Sequence, residues 1–215
     1  MASPLRLCML SGSFEYDSEE SLGLFREHLA AVGGFDDTLI VYADEDDDPS
    51  LAAIDDTDVV LVFTRRIRVE GAELDRLKAY CAAGRPVVGV RTASHAYQNW
   101  LDFDAQVLGG SYNGHFGGGP VCDVTAADDA AGHPILAGVP RFGSVGSLYK
   151  NTPIADDATL LLNGTTPDST EPVAWTRLHE GGRVFYTSLG HQQDFRDAAF
   201  LTLLTNGVSW AAGHI

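Results

Sequence analysis

Cysteine and lysine are scarce in this 215-residue chain, which has three Cys and, among 14 basic residues, only Lys78 and Lys150. Cys8, Cys81 and Cys122 form no CxxC pair and are too few for a disulfide framework, so nothing calls for an oxidising compartment. Positive charge is short overall: 30 Asp and Glu leave a formal net charge of -16. That excess excludes nucleic acid and anionic membranes as partners, because both require a Lys/Arg footprint. Long apolar runs are missing too. The first ten residues, Met1 to Leu10, carry no export signal or anchor and read as the start of a strand, which leads us to expect a cytoplasmic protein. No GxGxxG follows a strand, so a dinucleotide site is not expected from the glycines at 117 to 119.

What is present is the composition of an ordinary globular domain, 45% apolar and 20% charged, of a length that suits one domain over residues 1–215. Apolar runs alternate with helical-period segments, the pattern of βαβ units. Strands are expected at Leu5 to Leu10, Thr38 to Tyr42, Asp58 to Phe63 and Pro86 to Val90. Asp17 is placed to cap a helix that turns Leu22, Phe25, Leu29 and Val32 inward and ends at Gly33-Gly34. Glu70 to Ala83 reads as a second helix stopped by Gly84, and residues 91–97 as a turn entering another. From about residue 108, frequent glycine predicts an irregular surface stretch that covers a site. Strands follow near 120–126, 143–149, 158–162, 172–177 and 183–188, and then a closing helix with Phe200, Leu201, Leu204 and Val208 inward.

Ligands of an open α/β sheet collect beyond the carboxyl ends of its strands. The segments there are Ser11 to Asp17, Thr64-Arg65-Arg66-Ile67-Arg68, Arg91 to His95, and Gly190-His191-Gln192-Gln193. His95, His115 and His191 lie in site loops and can move protons near pH 7, or serve simply as hydrogen-bonded structural residues. Arg65, Arg66 and Arg91 bring three guanidiniums to one edge. They repel one another unless an anion, or a carboxylate such as Glu15, Asp17 or Asp102, intervenes. Tyr97, Trp100, Tyr112 and Phe116 either stack on a sugar ring or fill core. The three histidines with Glu15 or Asp17 form an alternative Zn²⁺ set, but their spacings of 20 and 76 residues follow no metal motif, and no cofactor is expected.

Pro86-Val87-Val88-Gly89-Val90 resembles the strand before the nucleophile elbow of class I glutamine amidotransferases, where a catalytic Cys follows; here the next residue is Arg91. Gly190-His191-Gln192-Gln193 is similar to that superfamily's catalytic His segment, with Gln193 in the acidic position. Glutaminase chemistry is therefore not expected. A nearly end-to-end resemblance to the trehalose-utilisation, ThuA-like branch rests on Thr64-Arg65-Arg66, on Gly89 to Ala96 and on Gly109-Gly110-Ser111-Tyr112-Asn113-Gly114-His115. It continues in His133-Pro134-Ile135-Leu136-Ala137-Gly138 and in Gly182 to His191. Relatives often carry Asp-Glu-Leu-Tyr where this chain has Gly146-Ser147-Leu148-Tyr149, so no role for that Glu carries over.

The resemblance implies a single three-layer, flavodoxin-like (class I glutamine amidotransferase-like) α/β domain with a mostly parallel sheet, and a part in carbohydrate catabolism. The expected partner is a small-molecule sugar or keto-sugar derivative. On that reading His191 and His95 move protons, His115 assists, and Arg91 with Arg65 stabilises an oxyanion or enediolate, while Arg66, Glu15 and Tyr112 contact the substrate. The alternative is a non-catalytic carbohydrate-binding or interaction module. A homo-oligomer is expected on general grounds.

Overall fold

Strand β1 (Leu5–Gly12) sends Leu5, Leu7 and Met9 to one face of the sheet and Cys8 and Leu10 to the other. Strand β3 (Val59–Thr64) does the same with Val59, Leu61 and Phe63 against Val60 and Val62. This period-two split of apolar residues to both sides is what a strand covered by helices on both faces requires. The computed structural model describes residues 3–215. Helices α1 (Ser18–Val32) and α3 (Ala198–Ala211) pack on the first face, through Leu22, Phe25 and Leu29 and through Phe200, Leu203, Leu204 and Val208. Helix α2 (Ala72–Ala82) covers the second with Leu74, Leu77, Tyr80 and Cys81. The result is three layers around two cores.

The remaining strands are β2 (Phe35–Val41), β4 (Val87–Val90), β5 (Cys122–Ala126), β6 (Phe142–Ser144), β7 (Thr159–Thr165), β8 (Thr170–His179) and β9 (Gly182–Thr187). They form one sheet in the order β2-β1-β3-β4-β9-β8-β7-β5-β6. From β2 to β9 every pairing is parallel, and from β9 to β6 every pairing is antiparallel. The expected mostly parallel sheet is thus corrected to a mixed one, and from β7 to β9 short connections are the reason. Only Glu180 and Gly181 join β8 to β9, with φ of 50° and 83°, the left-handed pair of a tight hairpin turn. A parallel return needs a crossover of a dozen residues or more.

Three local expectations also change. The strand foreseen at 143–149 stops at Ser144, and residues 145–149 run instead as a loop across the carboxyl edge. After β4 there is no full helix, only a tight 3-10 turn over Arg91–His95 and a short π-helical turn at Asp104–Leu108. In the helices, Val32 is exposed and Leu201 half-buried, while Leu203 takes the inward place. No helix is long and apolar enough to cross a membrane among the described residues.

Candidate functional site

Arg91, the first residue after β4, has φ of 46°, a left-handed conformation uncommon outside glycine, and so forms an elbow at the carboxyl end of the strand. The elbow directs its side chain into the protein, where it is only 1% exposed. Its Nη1 donates to the Ser188 carbonyl at 2.7 Å, and its Nη2 to the Ser147 carbonyl at 3.2 Å and the Tyr16 hydroxyl at 3.1 Å. The guanidinium also lies 4.6 Å from the Tyr16 ring and 4.5 Å from the Tyr149 ring. Carbonyl dipoles and aromatic faces therefore stabilise a buried cation. Glycine at 146 lets the loop approach this closely, since a Cβ there would lie 2.9 Å from Nη1. The expectation that Arg91 presents its guanidinium to a ligand thus gives way to burial. It instead fastens the segments carrying Tyr16, Tyr149 and Ser188.

His95 closes the same 3-10 turn. Its Nδ1 lies 3.1 Å from Ser94 Oγ, and that hydroxyl donates on to the Arg91 carbonyl at 3.4 Å. This chain assigns the His95 proton to Nδ1 and leaves Nε2 free to accept. Tyr112 stacks on the imidazole, with ring centres 4.5 Å apart, and Tyr149 lies 6.1 Å away. Burial, followed by the charges of Arg65, Arg66, Arg91 and His115, pushes the imidazole down to about 3. His95 is therefore neutral at physiological pH.

His191 follows β9 and Gly190, on the far side of Arg91. Its imidazole meets the Tyr16 ring edge-on at 6.0 Å, and its Nδ1 accepts the Gln193 backbone N–H at 3.3 Å. The proton is then assigned to Nε2, so His191 presents a donor where His95 presents an acceptor. Burial and Arg91 lower its pKa against an upward pull from Asp194. The buried Asp194 accepts the backbone N–H groups of Gly190 and His191 and the Ser144 hydroxyl, each at 2.9 Å. It anchors the loop backbone without touching the ring. Sequence reasoning passed over it while examining Gln193, which is exposed.

The remaining candidates gather around these rings. Glu15 and Arg65 form a half-exposed ion pair at 3.2 Å. Arg66 is exposed, has φ of 53°, and donates its backbone N–H to the His95 carbonyl at 2.9 Å. His115 is exposed, lies 6.4 Å from the Tyr149 ring and bridges that residue's backbone. Tyr112 is held by its backbone N–H, which donates to the buried Asp104 carboxylate at 2.8 Å. Asp17 begins α1 with its backbone, but its side chain pairs with Gln192 rather than capping the helix. Tyr97 is core with Trp100 half-buried against it, and Phe116 is half-buried against the core on the other face of the sheet. Tyr16, Tyr149, Asp104 and Asp194 are the residues missed, although Tyr149 stood inside a motif already noted.

The histidines thus border one aromatic seam in two groups, His95 and His115 at Tyr149 and His191 at Tyr16, with Arg91 touching both rings. No group of three or more His, Cys, Asp or Glu among the described residues is arranged to hold a metal ion. Cys8 and Cys81 are buried, with thiols pushed up to about 12, and Cys122 to about 11, which leaves no thiolate nucleophile at neutral pH. An open cleft of about 680 Å³ lies to one side, lined by Ser11, Phe14, Asp17, Glu20 and Tyr42.

The family model described as trehalose utilisation, ThuA, matches residues 8–211. No curated protein matches. Among solved structures, a ThuA-like protein from Parabacteroides merdae superposes with a TM-score of 0.77 at 17% identity, covering 98% of this chain and 90% of that one. A second, from Bacteroides uniformis, gives 0.73 at 19%, covering 98% and 93%. A glutamine amidotransferase from Thermotoga maritima gives 0.61 at 12%, covering 98% and 99%. At these identities the structures establish likeness of fold.

Proposed function

This chain belongs to the ThuA, trehalose utilisation, family, and we propose that it is an acid/base enzyme acting on a sugar or keto-sugar derivative. The observation that carries this reading is the complementary pair of imidazoles, with His95 offering a free Nε2 lone pair and His191 an Nε2–H, at one sheet edge. Isomerisation, elimination and hydrolysis of such compounds all need a proton removed and a proton returned; His191 is the group to move it, and His95, kept neutral and weakly basic by burial, accepts a hydrogen bond from the reacting hydroxyl. Tyr112, with a half-buried face, gives a sugar ring a surface on which to stack. His115 assists at the open side. Arg66 takes over the contact with developing negative charge, because the hydrogen bonds of Arg91 are committed within the protein and Arg65 is paired with Glu15.

The test is turnover of keto-sugars and neutral disaccharides, followed by NMR, for wild type, His95→Asn and His191→Asn. Turnover of at least one compound is expected, reduced about 10²-fold or more in either variant, with binding retained. Binding without turnover would favour a carbohydrate-binding module, a reading supported by the buried Arg91 at the elbow. Neither binding nor turnover would overturn the sugar-directed reading altogether.

A further inference from the structure

The chain contains twelve arginines. Among the described residues, eleven commit their guanidinium to a carboxylate, as Arg6, Arg65 and Arg68 do, or to backbone carbonyls, as Arg85, Arg91 and Arg183 do. Arg66 alone has no side-chain hydrogen bond or ion pair. Its backbone is firmly held. Its left-handed φ of 53° is fixed from both sides, by its own N–H on the His95 carbonyl and by the next N–H, of Ile67, on the Ala96 carbonyl at 2.8 Å. It stands at the rim of the seam beside the His95 turn, and not on a free loop.

The surroundings add like charge. Arg65 is the neighbouring residue, Arg91 lies in the protein beneath, and His115 stands on the same rim. The near carboxylate, Glu15, is already paired with Arg65. Guanidiniums brought together this way repel unless an anion enters, and a guanidinium grips a carboxylate or phosphate through two parallel hydrogen bonds. We propose that Arg66 is the anchor of an oxyanion subsite, which makes this site selective for sugar derivatives carrying a carboxylate or a phosphate. The inference rests on the sugar-directed reading for the sugar, and on Arg66 for the charge.

Calorimetric titration at fixed ionic strength, with histidine NMR, tests it using D-glucose, D-glucuronate and D-glucose 6-phosphate, and separately acetate and inorganic phosphate. At least one anionic sugar should bind tenfold or more tightly than glucose and move the His95 signals, and the stronger of the two identifies the anion. Arg66→Gln should lose about tenfold of the affinity for the anionic sugar, more than it loses for glucose, and Arg66→Lys should retain part of it. Equal binding of neutral and anionic sugars, no binding of any anion, or an Arg66→Gln variant that binds like wild type would each overturn the subsite. Acetate or phosphate binding through Arg66 with no sugar binding at all would uphold the subsite and overturn the sugar reading instead.

Discussion

The ring of Tyr112 lies over the imidazole of His95 at 4.5 Å and 16° from parallel. This contact helps keep His95 dry and neutral. An NMR titration should find it uncharged down to about pH 3, and Tyr112→Ala should move its pKa back toward 6.5. Because the unfolded chain takes up this proton first, the stability linked to His95 is complete above pH 6.5. It is lost as pH falls toward 3, by on the order of 5 kcal/mol.

Asp104 works in the opposite sense. Burial raises its carboxyl to about 6, against a downward pull from the Tyr112 N–H, and its Oδ1 is buried without a partner. The folded state holds this proton more tightly than the unfolded one, so the stabilisation is full below pH 3.8 and disappears as pH rises through about 6. Asp104→Asn keeps an acceptor for the Tyr112 N–H and removes the ionisation. It should raise stability at pH 7.5 by up to about 3 kcal/mol and flatten the profile between 4 and 6 in denaturant melts.

Arg91→Ala should cost about 3 kcal/mol or more. It removes a cation that two rings and two carbonyls enclose and leaves those carbonyls without donors. For a chain of this length the melting temperature should fall by roughly 6–12 °C. Ammonia release from glutamine should stay at background in wild type, because Arg91 stands at the elbow and the three thiols are buried.

Two glycines in helices should respond with opposite signs. A Cβ at Gly207 would overlap the ring of Phe185, so Gly207→Ala should lower stability by about 1–3 kcal/mol. Nothing lies within 4 Å of the corresponding position at Gly23 in α1, where Gly23→Ala should raise stability by up to about 1 kcal/mol through helix propensity. Thermal melts of the two variants decide both.

The parallel half of the sheet was legible because its strands are covered on both faces and announce themselves as apolar runs such as Val59-Val60-Leu61-Val62. Strand direction in the other half was less legible, because Glu180-Gly181, the two residues between β8 and β9, are not one of the strong hairpin pairs such as Asn-Gly or Asp-Gly. For the site, loop position together with the family resemblance singled out His95, His115, His191 and Arg66 as candidates. It could not say which way Arg91 points, since that depends on Gly146 and Tyr149, more than 50 residues away in sequence. Asp194 escaped because two of its partners are backbone N–H groups, which have no signature in side-chain identity, and the third, Ser144, is 50 residues away in sequence.

The two ends of the sheet carry a consequence for self-association. The outer strand β2 alternates exposed Asp36 and Thr38 with half-buried Phe35, Asp37 and Leu39, and Asp37 pairs with Arg26 of α1. At the other end β6 is three residues long, and Arg141, just before it, is tied to Asp123. One rim therefore repels an incoming strand by its charge, and the other is too short to template one. Growth of the sheet from molecule to molecule is blocked at both ends, and any stable pairing of copies of this chain must use its helical faces or loops.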